Sequence, residues 1–173
     1  MSDDTSGRAP AGAPAALTHV DARGAARMVD VGAKPATERF AAAEGAVRMS
    51  AAAYALVADA ALAKGDVLAV ARVAGLMAAK RTAELIPLCH PVPLSHADVE
   101  LALDPALPGV RVRATASTVA GTGVEMEALT AVTVAMLTVY DMVKGADRAT
   151  ELVGARVIEK RGGRSGSWRA PTD

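Results

Sequence analysis

The segment Glu84 to His96, ELIPLCHPVPLSH, concentrates reactive side chains within the 173-residue chain. It carries the one cysteine, Cys89, two of the three histidines, His90 and His96, and three prolines, Pro87, Pro91 and Pro93. Three chemistries suit such a stretch: a metal site, a thiol nucleophile, or a stiff loop that presents groups to a ligand. Structural zinc needs about four ligands. The chain has one cysteine, three histidines, no CxxC and no HExxH, so a zinc site is disfavoured. A lone cysteine near a histidine is more often a small buried hydrophobe than a nucleophile. Prolines on both sides of Cys89 and His90 restrict the backbone, and a restricted loop holds a donor such as His90 in place. The ligand-facing loop is the favoured reading.

Three further clusters could do chemistry. In GTGVEMEALT, Gly121 and Gly123 precede Glu125, Met126 and Glu127 at a helix start. Glutamates in a first turn suit the helix dipole and need no ligand. The alternative is that backbone N–H groups and carboxylates here receive a polar ligand, such as a guanine-like ring with N–H and amino donors. In YDMVKG, Asp141 and Lys144 are three apart and share a helix face. They form either a surface ion pair worth under about 1 kcal/mol or an acid–base pair. Only five lysines stand against 14 arginines: Lys34, Lys64, Lys80, Lys144 and Lys160. A chain that defaults to arginine can keep lysine where a compact, titratable ammonium is useful. Lys160 opens KRGGRSGSW, where basic residues beside glycines suit a phosphate or simply a solvated tail.

The composition bounds what these residues serve. At 51% hydrophobic, the chain can build a core without staples. Lysine plus arginine equals aspartate plus glutamate at 19 each, so no global charge invites nucleic acid or an anionic membrane. Aromatics at 2% supply no stacking platform for single strands. One cysteine forms no internal disulfide and suits a reducing, cytoplasmic compartment. No uninterrupted apolar run reaches a membrane span. Residues 1–16 read as a disordered tail, 17–168 as one domain and 169–173 as a flexible end.

The elements that must position the site follow from periodicity. A strand is expected around Ala26 to Val31, and a second over TERFAAAEGAVRMS with a break at Gly45. Ser50 caps a helix over AAAYALVADAALA. Gly65 closes it, and Asp66 caps the next, VLAVARVAGLMAAKRTAEL, whose basic last turn ends before Pro87. PLSHADVELAL and GVRVRATASTV alternate as an antiparallel pair. A long helix runs from about Glu125 to Lys144, and ELVGARVIEK is a last strand. This order predicts an α+β fold, an antiparallel sheet with helices on one face. The apolar face of Ala131, Val134, Thr138 and Met142 predicts subunit association.

RMVDVGAK, KGDVLAVARVAGLMAAKRTAELIPLCHP, TGVEMEALTAVTVAMLTVYDMVK and KRGGRSG closely resemble the cyclic pyranopterin monophosphate synthases, the accessory protein C family of molybdenum cofactor biosynthesis. The resemblance runs from about Leu17 to Trp168, with the motifs in the right order at the right distances. It implies a ferredoxin-like fold and a homohexamer built as a trimer of dimers. It implies conversion of 3′,8-cyclo-7,8-dihydroguanosine 5′-triphosphate to cyclic pyranopterin monophosphate with release of pyrophosphate. By motif match, Asp141 and Lys144 take the catalytic positions. Leu88, Cys89 and His90 match the first substrate-binding segment, and Met126 and Glu127, with Glu125 beside them, match the second. Lys64, Arg39 and Lys160 match further polar pocket positions. Gly145, Arg27 and the N-terminal tail depart from the pattern, and none of these removes a catalytic group.

The expected mechanism is proton transfer without redox chemistry. Lys144 is the general acid/base with a lowered pKa, and Asp141 orients it or accepts a proton. Lys64, Lys160 and Arg39 hold the triphosphate, while His90 and Glu127 fix the base. No cofactor is required, with room for Mg2+ beside the triphosphate. Glu127 and Asp141 lie 14 residues apart on one helix, roughly 21 Å, which predicts a site shared across a dimer interface. The competing reading is a non-catalytic purine-nucleotide-binding oligomer, which would not need the Asp141–Lys144 pair.

Overall fold

The computed structural model describes residues 25, 28–60, 62 and 65–171. The chain divides into residues 1–30 and 31–173. Of the first unit only Ala25 and residues 28–30 are described, and they are irregular. The strand expected around Ala26 to Val31 is therefore absent from 28–31, and its first two residues lie outside the described set. So does the N-terminal tail.

The second unit is an α+β fold. Its five-stranded antiparallel sheet has the order β2-β3-β1-β4-β5, built from β1 (Thr37–Arg48), β2 (His96–Asp104), β3 (Gly109–Ala120), β4 (Glu151–Arg161) and β5 (Trp168–Arg169). The helices are α1 (Ala51–Ala58), α2 (Val67–Ala79), α3 (Thr82–Leu85) and α4 (Glu125–Val143). The β2–β3 hairpin runs in unbroken register from His96↔Ser117 to Asp104↔Gly109. Asp104 closes its turn by accepting from the N–H groups of Ala106 and Leu107. Helix α4 lies across β1, β3 and β4. Helix α2 packs on α4 and β2, so both long helices cover one face of the sheet.

Side-chain size explains how closely these layers approach. The core is made of alanine and valine, including Ala43, Ala114, Ala131 and Ala135 with Val47, Val99, Val112 and Val139, filled by Met136. Where α2 crosses α4, Gly75 lies so close that an added Cβ would sit 2.9 Å from the Ala131 carbonyl oxygen. At Gly45, where a break was expected, β1 is continuous. The glycine marks close approach instead: a Cβ there would meet Met136 Sδ at 2.5 Å and the Gly154 carbonyl oxygen at 2.6 Å. The irregularity appears only in the pairing with β4, whose register shifts between Gly45 and Ala46.

Local capping accounts for the helix starts and for the departures from expectation. Ser50 Oγ accepts from Ala53 N–H to start α1, and Asp66 Oδ1 accepts from Ala69 N–H to start α2. Helix α1 ends at Ala58, well before Ala63, as the chain turns through Ala60 at φ 51°. Gly65 therefore does not close it. The expected helix over 67–85 breaks at Lys80 and Arg81. Arg81 N–H bonds back to Ala78, and the buried Thr82 hydroxyl bonds to the carbonyls of Ala78 and Ala79. Lys80 and Arg81 are thus a corner, not a basic last turn. The C-terminal stretch also differs: β5 pairs Arg169 with Glu159 and Trp168 with Lys160, and Ala170 N–H bonds to Ile158.

Two of the residues expected to present an outward apolar face, Ala131 and Met142, are buried in the chain's own core. On the two long helices the exposed large apolar side chains are others: Val70, Val73 and Met77 along one face of α2, and Leu137 on α4. By length and composition α4 is the one described helix able to cross a membrane, yet 56% of it is buried inside the fold. It is the central core helix.

Candidate active site

The sequence-derived candidates fall into two clusters, one at each end of α4. At the N-terminal end, Glu125 and Glu127 occupy the first turn, where no side chain caps the helix. Gly123 makes room for the Glu125 side chain, whose Cδ would lie 2.8 Å from any Cβ at that position. Lys160, at the end of β4, reaches Glu125 Oε1 at 2.8 Å. Two rows of the sheet bring Arg39 to the same end of the strands. Ala41 pairs with Lys160 and Arg39 pairs with Thr118, and the Arg39 Nε–H donates to the Ala120 carbonyl at 3.3 Å.

Glu127 is buried. Burial pushes its carboxyl above the usual range, and the neighbouring Glu125 charge adds to that, while a hydrogen bond from its own backbone opposes it. It lines a cavity of about 130 Å³ with Lys80, Arg81, Thr82, Pro91 and Val92. The Cys89–His90 segment belongs to this end as well. Cys89 N–H closes a turn on the Ile86 carbonyl at 3.0 Å. Its thiol is pushed up by burial and then by Glu127, the opposite of what a thiolate nucleophile needs. Leu88, Cys89, His90 and Met126 are all half-buried. Thr82 and the corner at Lys80 and Arg81 were not singled out as site residues. The basic pair before Thr82 was read for the helix dipole, and only the broken helix turns it toward Glu127.

At the other end, Lys144 caps the C-terminus of α4 and its Nζ lies 2.6 Å from Asp141 Oδ1. Both side chains are about half exposed. The pKa of Lys144 is raised, not lowered as expected: the hydrogen bond it donates to Asp141 and then the Asp141 charge stabilise the ammonium and outweigh desolvation. Asp147 braces this end. It accepts from Ser50 N–H at 2.7 Å and Ala149 N–H at 2.9 Å, and these bonds hold its carboxyl low. Lys64 lies outside the described residues. Among the described residues no group of three or more His, Cys, Asp or Glu side chains is placed to hold a metal.

The arrangement places one cluster at the N-terminal end of α4 and the other at its C-terminal end. The first has buried and half-buried carboxylates, a stiff Cys–His loop and cations at the end of the strands. The second has a lysine and an aspartate in direct contact. The MoaC family profile matches residues 28–163. A protein of Cereibacter sphaeroides named cyclic pyranopterin monophosphate synthase is 59% identical over 154 residues, covering 89% of this chain and 97% of the relative. Proteins of the same name from Brucella ovis and Brucella abortus are 59% identical over 152 residues, covering 88% of this chain and 92% of each relative.

Proposed function

Because the chain belongs to the MoaC family, we propose that the two ends of α4 divide its reaction between substrate recognition and proton transfer. The activity is that of a cyclic pyranopterin monophosphate synthase, a lyase of molybdenum cofactor biosynthesis. On this reading the substrate is 3′,8-cyclo-7,8-dihydroguanosine 5′-triphosphate. The five-membered ring of its base opens and a pyrazine ring forms. A hydroxyl oxygen attacks the α-phosphorus, and pyrophosphate leaves as that O–P bond forms. Ring opening needs a proton on the departing nitrogen, and phosphate closure needs one removed from the attacking hydroxyl.

Lys144 and Asp141 carry these transfers. Contact with Asp141 favours the ammonium, so Lys144 enters as proton donor and Asp141 as the adjacent acceptor. Glu125, Met126 and Glu127 meet the base from the first turn of α4, with Leu88, Cys89 and His90 facing them. Arg39, Lys160 and Lys64 hold the triphosphate and stabilise the leaving pyrophosphate. The transfers require no cofactor, and Mg2+ would enter with the triphosphate. The single cysteine suits the cytoplasm.

The topology supports a ferredoxin-like assignment: β1, the α1–α2 segment, β2, β3, α4 and β4 follow in sequence, and the strand order is β2-β3-β1-β4. The separation of the clusters carries the assembly. Glu127 and Asp141 lie roughly 21 Å apart along α4 at the usual helical rise, so one substrate meets both only if neighbouring subunits each supply one end. The exposed Val70, Val73, Met77 and Leu137 fit such association. A hexamer built as a trimer of dimers, with the site at the dimer interface, is the assembly we propose.

The proton-transfer role is tested with Lys144→Ala, following pyrophosphate release and substrate binding together. The expected result is no release above background with binding retained within a few-fold. Wild-type turnover, or loss of binding as the sole defect, would remove Lys144 from the chemistry.

A further inference from the structure

The loop after β4 contains two adjacent glycines in the left-handed region, Gly162 at φ 93° and Gly163 at φ 74°. They do different work. A Cβ on Gly162 would overlap the backbone carbonyl oxygen of Glu38, so this glycine lets two main chains pass. A Cβ on Gly163 would overlap a side chain. Its three nearest atoms all belong to the Arg39 guanidinium, first Nη1, then Cζ at 2.7 Å and Nη2 at 3.2 Å. The tip of Arg39 occupies the space a methyl group would fill.

Arg39 is otherwise a long side chain with many rotamers. Its second hold is the hydrogen bond from Nε to the Ala120 carbonyl at the end of β3. Between that carbonyl and Gly163 the guanidinium is fixed at one end of the sheet. There it lines a cleft of about 470 Å³ together with Arg161, Ser95, Ser117 and Gly162. Lys160, three residues before Gly163, is turned to Glu125 at the start of α4. The two cations thus reach the recognition end by different routes, one from β1 and one from β4.

We infer that Gly163 is a positioning residue: the space left by its missing side chain seats the Arg39 guanidinium and aims it at the phosphates of the nucleotide. The inference rests on the reading of Arg39 as a phosphate ligand, and the two can fail separately. A side chain at Gly163 displaces a flexible tip and not a main chain, so the fold tolerates it better than a side chain at Gly162.

The test is a double-mutant cycle on KM and kcat for pyrophosphate release, using Arg39→Ala, Gly163→Ala and the pair. Gly154→Ala serves as a control. Gly154 is also left-handed, at φ 56°, and nothing lies within 4 Å of its would-be Cβ. The expected result is a tenfold or greater rise in KM in both single variants, on the order of one charged contact. The double variant should match Arg39→Ala within about twofold, as coupled residues do, and Gly154→Ala should keep the wild-type KM. Multiplied effects in the double variant, or an equal KM rise in Gly154→Ala, would overturn the role of Gly163 while leaving Arg39 a ligand. An Arg39→Ala enzyme with unchanged KM would overturn both. If Gly163→Ala fails to fold, folding of the double variant supports the seat. A double variant that also fails assigns the defect to the left-handed backbone at Gly163, φ 74°, and overturns the seat.

Discussion

At the scale of single residues, Glu127 stands out as the one buried carboxylate among the described residues. It is buried at the first turn of α4 with a second glutamate two positions before it. Its carboxyl is raised, chiefly by burial. A raised carboxyl contributes stability that is present below its unfolded pKa, near 4.5, and lost as pH rises through the folded value. Glu127→Gln removes that loss. At pH 7 the variant should melt above the wild type, and the gain should vanish toward pH 4. Thermal melts of both proteins across this range check it, and a gain independent of pH would assign the effect to packing. Asp141 and Lys144 teach the converse lesson. Their spacing made them neighbours on a helix face, and the contact at 2.6 Å bears that out. The direction of the Lys144 shift was not legible, because it depends on whether exposure and Asp141 outweigh burial. Nor was the seat of Arg39 at Gly163, since those residues meet only through the sheet.

At the scale of elements, what was legible is what is local. The β2–β3 hairpin follows from alternation, α4 from its glycines and helical spacing, and the starts of α1 and α2 from Ser50 and Asp66. What was illegible depends on tertiary partners. The break before α3 comes from a threonine hydroxyl bonding backward. Strand β5 is two residues long, too short for any period, and exists because β4 offers an edge. Glycines show the distinction most clearly. Gly75 reads as a weak point in a helix, where alanine would gain about 1 kcal/mol of propensity. Its Cβ would instead press on the Ala131 carbonyl at 2.9 Å and on Val99 and Ala135. Overpacking costs about 1–3 kcal/mol, and a backbone oxygen cannot step aside, so Gly75→Ala should lower stability. Gly145 has open space and no positive φ, so Gly145→Ala should raise stability by about 0.4–1 kcal/mol. Urea titrations of the two variants should move in opposite directions. Movement of both toward stability would mean that α2 and α4 can separate without cost.

At the scale of the whole molecule, α4 acts as a ruler. Its first turn carries Glu125 and Glu127 and its end Asp141 and Lys144, too far apart within one chain to meet on one small ligand. In the assembly we propose, a second copy related by a two-fold axis supplies the missing end to each site. The sharing has a quantitative consequence. Take Lys144→Ala and Glu127→Ala chains, each inactive alone, and let them exchange freely. Half of the dimers are then mixed, and each mixed dimer holds one site with both native groups and one with neither. Activity should therefore return to about a quarter of the wild-type level, measured as pyrophosphate release per chain after co-purification on two different tags. Sites built within a single chain would give none, because every site would still carry one of the two substitutions. The exposed apolar residues of α2 are the face we propose joins the copies. Placing charge on them, as in Val73→Asp, should then abolish the restored activity by parting the copies.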